Sequence, residues 1–227
     1  MASAIASRGP DDEGTWGTVC PREFSQSLSN AEIQSQNKKS TCKYGIAFGF
    51  RRLAILDLSH AGHQPMTSES GRYVIAFNGE IYNHAELRRQ MEALGHRYRT
   101  QSDTETILHL FEEYGPDSMT HLRGMFAIAI WNSRTRSLFL ARDRFGKKPL
   151  YYTQAESGFY FCSEIKCLRA AGLRLNANRE ALRLYFKFGY VPDPLSAFEG
   201  VHKLPAGSWL ELECPSGKIR RGEYWTL

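Results

Sequence analysis

Apolar and polar positions fall along the chain in short alternating runs, and the runs come in pairs separated by turns. The pattern centres on Arg72 to Asn83, RYVIAFNGEIYN. Tyr73, Ile75 and Phe77 alternate with Val74 and Ala76, so both faces carry apolar side chains, as in a strand covered on two sides. Asn78-Gly79 then reads as a polar turn, because both residues tolerate positive φ. It hands the chain to a helix over Ala85 to Leu94, with Leu87, Met91 and Leu94 at helical spacing and Gly95 as its stop. A second helix opens at Ser102-Asp103-Thr104-Glu105, where Ser102 and Glu105 have the spacing of a capping box. Ile107, Leu108, Leu110 and Phe111 form its buried face, and Gly115-Pro116 ends it.

The remaining strands come as hairpins: 125–131 with 137–143, 149–152 with 159–162, and 208–213 with 218–224 around Pro215-Ser216-Gly217. Tyr44 to Leu58 is also strand-like, Arg179 to Phe188 is helical, and Arg8 to Gly14 is a loop fixed by Pro10 and Gly14. Paired strands with an inserted helix pair predict antiparallel sheets with helices layered outside, an α+β architecture.

Composition narrows the class. A chain of 227 residues, 42% hydrophobic and 23% charged, has the make-up of a globular domain. No apolar run approaches the roughly 20 residues of a membrane span, and the N-terminus lacks the charged start and apolar core of a secretory signal. The net charge of +5 is scattered in pairs such as Arg88-Arg89 and Lys147-Lys148, the pattern of a solvated surface. Neither nucleic acid nor membrane is therefore an expected partner. Residues 18–45, rich in Ser, Gln, Asn and Lys, read as a flexible surface insertion. Five cysteines without a CxxC pair fit a reduced compartment, the cytoplasm, better than a disulfide framework.

Five polar residues stand where strands meet loops: Arg52, Asn78, Gly79, Glu80 and Asp103. The Gly79 N–H and the Asn78 amide are two donors able to converge on one oxygen, as an oxyanion hole requires. An Arg offers a fork for a carboxylate and an Asp a partner for an ammonium. Together they describe a site for an amino acid whose carbonyl is attacked. Each also has a plainer role: Arg52 as a surface ion pair, Asp103 as a helix N-terminal acid favoured by the dipole, Glu80 as a solvated turn residue. His60 and His63 are three apart but have no third ligand nearby, so no metal is expected. GxSxG, HExxH, P-loop and GxGxxG patterns are absent.

Ten segments stand in order along the chain: RGPDDEG (8–14), RRLAILDLS (51–59), AGHQPM (61–66), FNGEIYN (77–83), SDTE (102–105), LRGMFAIAIW (122–131), ARDRFGKKPLYY (141–152), SEIKCL (163–168), FGYVPDP (188–194) and KLPAG (203–207). In this collinear set the chain resembles the glutamine-hydrolysing domain of asparagine synthetases, a class II glutamine amidotransferase of the Ntn-hydrolase fold. The resemblance implies a four-layer αββα sandwich of two antiparallel sheets and asparagine biosynthesis as the setting. It implies that Arg52 holds the glutamine α-carboxylate and Asp103 its α-ammonium, with Glu80 beside it. Asn78 and Gly79 would form the oxyanion hole. Glutamine and a synthetase domain or chain are the expected partners, and a homodimer is allowed.

The departures from that family set further expectations. Its members open with Cys-Gly-Ile, whose thiolate attacks the glutamine amide with its own α-amine as base. Here Met1 to Ser7 precedes RGPDDEG directly, so 1–227 reads as one incomplete domain lacking the first strand and the nucleophile, inactive alone. The alternative is a non-catalytic glutamine-binding, regulatory or docking module. The SGGxDS pyrophosphate loop is not in the sequence; ATP and Mg would belong to a missing synthetase domain, and no cofactor is expected in this chain. Cys42, in CKYGIAF, faintly echoes the family's opening but aligns better as the strand leading into Arg51-Arg52. Cys20, Cys162, Cys167 and Cys214 read as structural or incidental.

Overall fold

A computed structural model describes residues 1–18, 45–52, 62–214 and 216–227. The proposed insertion at 18–45, apart from its two end residues, lies outside them, as do the predicted strand run Leu53 to Leu58, Cys20, Cys42 and His60. Eleven strands form among the described residues: β1 (Asp12–Thr18), β2 (Ile46–Arg52), β3 (Met66–Thr67), β4 (Tyr73–Ile81), β5 (Gly124–Asn132), β6 (Ser137–Arg142), β7 (Tyr151–Ala155), β8 (Gly158–Cys162), β9 (Val201–Lys203), β10 (Ser208–Glu213) and β11 (Lys218–Glu223). The helices are α1 (His84–Ala93), α2 (Asp103–Tyr114), α3 (Ser118–His121), α4 (Lys166–Ala170) and α5 (Arg179–Phe188), with a 3-10 segment over Ala2–Arg8. Among the described residues no helix is long and apolar enough to cross a membrane.

The main sheet has six strands in the order β11-β10-β6-β5-β4-β3, all paired antiparallel. The two-sided pattern of β4 explains its place inside this sheet. Tyr73, Ile75, Phe77 and Ile81 turn to one face, where Leu87 and Met91 of α1 and Ile107, Leu108 and Leu110 of α2 cover them. Val74 turns to the other face, with Ala127, Ala129 and Trp131 of β5, and meets Phe48 of β2 and Tyr152 of β7. Each fully buried Ile or Leu in these clusters contributes about 2 kcal/mol by removal from water.

The second layer is in two pieces, β1-β2 and β8-β7-β9, rather than one continuous sheet. Among the described residues no ladder joins them; they touch through side chains, Phe48 meeting Phe161 edge-on at 5.4 Å. Cys162, Cys167, Leu168 and Val201 form a third cluster with Ala4 and Ile5, so α4 and the 3-10 segment cover the outside of this layer. The resulting order of helices, sheet, sheet and helices is the expected α+β sandwich.

Three local readings change. Asn78-Gly79 is no turn: β4 runs straight through it, with Asn78 opposite Ala127 and Gly79 opposite Phe126. The glycine serves close approach, since a Cβ there would stand 2.1 Å from Met125 O. Asp12 to Gly14 is strand rather than loop, because β2 offers it a partner across the register Asp12 to Arg52. Ser102 does cap α2, accepting from Thr104 N–H at 3.2 Å. Glu105, however, reaches back past it to the Arg99 N–H at 2.8 Å and the Thr100 N–H at 2.7 Å, so the reciprocal half of the capping box is not made.

Candidate functional site

Along the edge of β4 nearest α2, backbone donors meet side-chain acceptors. Phe77 N–H donates to Gln64 Oε1 at 2.6 Å, and Ile81 N–H donates to Asp103 Oδ2 at 3.0 Å. Both groups therefore point away from β5. Strand alternation gives Gly79, midway between them, the same direction for its own N–H. β3 pairs with β4 only at Val74 and Ile75, so it stops short of this part of the edge. The side chains of Asn78 and Glu80 share the opposite parity, with Val74, and face the space between the sheets.

A cavity of about 620 Å³ occupies that space. Arg52, Asn78, Gly79, Glu80 and Asp103 all line it, so the fold brings together all five residues singled out in the sequence. Arg52 ends β2 and is 9% exposed. Its guanidinium lies so close to Gly62 that a Cβ there would stand 2.2 Å from Nη2. Asp103 begins α2 and is 6% exposed. Burial pushes its carboxyl above the ordinary carboxylate range, and the Ile81 N–H pulls the other way without cancelling it. The cavity thus carries a buried carboxylate, a guanidinium and a β-edge N–H. That is a constellation suited to a zwitterionic ligand with a polar tail.

Gln64 is a positioning residue that the sequence pattern does not single out. Beyond accepting from Phe77 N–H, its Nε2 donates to Thr104 Oγ1 at 3.2 Å, tying β4 to the first turn of α2. Its only signal was its place in AGHQPM. Arg142 and Asp143, within ARDRFGKKPLYY, brace the cavity wall from behind. Asp143, 1% exposed, accepts from the N–H groups of Phe126, Phe145, Lys147 and Lys148. Arg142 donates to the carbonyls of Gly146, Lys148 and Leu204 and to Asp193 at 2.8 Å. These bonds hold the turn that presents Lys148 and Leu150 to the cavity. His63, the described member of the His60 and His63 pair, bonds Asp12 Oδ2 through Nδ1 at 2.6 Å.

Cys162 and Cys167 also line the cavity. Both are buried free thiols. Burial pushes the Cys162 thiol up to about 12, and it raises Cys167 and Cys214 as well. None of the three is poised as a thiolate.

Residues 23–225 match the glutamine amidotransferase domain family, and the chain belongs to that family. Among curated proteins it is 43% identical to asparagine synthetase [glutamine-hydrolyzing] 1 of Bacillus subtilis, over 79% of this chain and 28% of the relative. It is 35% identical to asparagine synthetase [glutamine-hydrolyzing] 3 of the same organism, over the whole chain and 33% of the relative. With a putative asparagine synthetase [glutamine-hydrolyzing] 2 of Methanocaldococcus jannaschii it shares 35% identity over its full length and 43% of the relative. The chain therefore spans between about a quarter and a half of these relatives. Among solved structures, glutamine phosphoribosylpyrophosphate amidotransferase of B. subtilis superposes with a TM-score of 0.66 at 20% identity, covering 99% of this chain and 46% of that one. That likeness confirms the Ntn-hydrolase fold.

Proposed function

We propose that the cavity binds glutamine and that the chain is the ammonia-supplying domain for an asparagine-forming synthetase. The observation that carries this reading is the convergence of Arg52, Asp103 and the edge N–H of Gly79 on one cavity. In this reading the Arg52 fork takes the α-carboxylate, and Asp103, with Glu80 beside it, takes the α-ammonium. These two contacts direct the side-chain amide along β4. Its carbonyl oxygen then meets the Gly79 N–H and the Asn78 amide, which strengthen their hold as that oxygen becomes an oxyanion.

Hydrolysis requires a thiolate to attack the amide carbon, expel ammonia on protonation of the leaving nitrogen, and yield to water as a thioester. The protonated state of Cys162, Cys167 and Cys214 withholds that step from the described cysteines. In this reading the described cysteines do not turn glutamine over, and ATP chemistry belongs to a synthetase partner. The buried free thiols favour a reducing setting such as the cytoplasm.

Ammonia release from glutamine by the purified chain tests this, with Cys42→Ala as control. Absence of turnover alongside saturable glutamine binding supports the reading. Turnover lost in Cys42→Ala would make Cys42 the nucleophile, and turnover without glutamine-site dependence on Arg52 would overturn the assignment.

A further inference from the structure

On the helical side of the main sheet, among residues that do not line the large cavity, two histidines from different elements face each other. His96, just after α1, brings Nδ1 to 3.1 Å from Nδ1 of His109 in α2. Glu112, one turn further along α2, brings Oε2 to 3.4 Å from the same His109 nitrogen. One ligand atom from each of the three lies within 4.8 Å of the others. In a tetrahedral zinc site, metal–nitrogen bonds of about 2.0–2.1 Å place neighbouring ligand atoms roughly 3.3 Å apart. The two separations from His109 Nδ1, 3.1 and 3.4 Å, stand close to that edge.

A carboxylate stands behind the second nitrogen of each imidazole, hydrogen-bonded to His96 and at ion-pair distance from His109, whose buried Nε2 makes no hydrogen bond. His96 Nε2 lies 3.4 Å from Glu113 Oε2, and His109 Nε2 lies 3.8 Å from Glu105 Oε1. Carboxylates behind the second ring nitrogen orient metal-binding histidines and raise their basicity. Glu112 is steadied as well, Oε1 accepting from Ser70 Oγ at 3.0 Å. His109 is buried, whereas the side chains of His96 and Glu112 keep 18% and 21% exposure, which leaves a way in.

We propose that His96 Nδ1, His109 Nδ1 and Glu112 Oε2 form a site for a divalent transition-metal cation of the zinc type, with solvent completing the shell. The cation fastens the segment after α1 onto α2, the helix that carries Asp103 at its other end. The competing occupant is a proton: burial alone would lower the His109 imidazole, but Glu105 and Glu112 outweigh it and hold it up at about 9.

The test uses the full-length, tag-free chain, stripped with chelator and titrated at mildly alkaline pH with Co2+ and Zn2+. One equivalent is expected to bind, with a cobalt spectrum free of thiolate charge transfer and a metal-dependent rise in Tm. His96→Ala should weaken binding more than about 100-fold and Glu113→Gln about tenfold. Glu112→Gln provides a second ligand variant if His96→Ala fails to fold. Absence of binding, a thiolate signature, or an unchanged Kd in the folded ligand variants would overturn the proposal.

Discussion

Asp103 Oδ2 accepts a hydrogen bond from Ile81 N–H at 3.0 Å, and this bond seats the first turn of α2 against the end of β4. The same carboxylate lines the cavity, so one side chain joins the helix start to the binding space. Asp103→Asn keeps an acceptor for Ile81 and removes the charge. Glutamine affinity is expected to fall by about 2 kcal/mol, roughly thirtyfold, with little loss of stability. Calorimetric titration of the variant beside a thermal melt separates the two effects.

The raised Asp103 carboxyl gives binding a pH dependence. The folded group titrates above its unfolded value, so the protonated form is favoured in the fold, and its contribution to stability declines as pH rises through that interval. Binding has the opposite sign, because the ligand ammonium prefers the carboxylate. Glutamine affinity should therefore rise with pH across the interval and level off above it, and the rise should vanish in Asp103→Asn. Titrations over the acid range check this.

Gly62 leaves room for the Arg52 guanidinium, and a Cβ there would stand 2.2 Å from Nη2. The clash falls on the end of a flexible side chain, which can move. Gly62→Ala should therefore preserve folding while weakening glutamine binding about tenfold through displacement of the fork. Parallel melts and binding titrations test it.

Gly79→Ala meets backbone instead, at 2.1 Å from Met125 O. Neither strand can yield without breaking its ladder, so the variant should lose about 3 kcal/mol of stability. Urea unfolding measures that loss directly; a wild-type midpoint would contradict the close approach of β4 and β5.

Burial keeps Cys162 protonated up to about 12. Alkylation of this thiol by iodoacetamide at neutral pH should be slower than that of a free cysteine by a factor of at least about 100, and denaturant should abolish the protection. Peptide mapping after timed labelling would show it.

The sandwich was legible because β4 carries apolar residues on both faces and α1 and α2 keep helical spacing. The site was legible through collinear motifs, since Arg52, Gly79 and Asp103 are far apart in sequence and meet only through β2, β4 and α2. Asn78-Gly79 misread as a turn because the local preference of the pair says nothing of how closely β5 approaches. Gln64 escaped because its two bonds reach β4 and α2, both distant in sequence. His96 and His109 fit no short ligand spacing, and only the packing of α2 against the segment after α1 brings their rings together.

Isothermal titration of the full-length chain with L-glutamine tests the role of the cavity most directly. Saturable binding at one site, lost in Arg52→Ala and Asp103→Asn, is the expected result. No binding, or binding that both folded variants retain, would contradict the assignment of this cavity to glutamine.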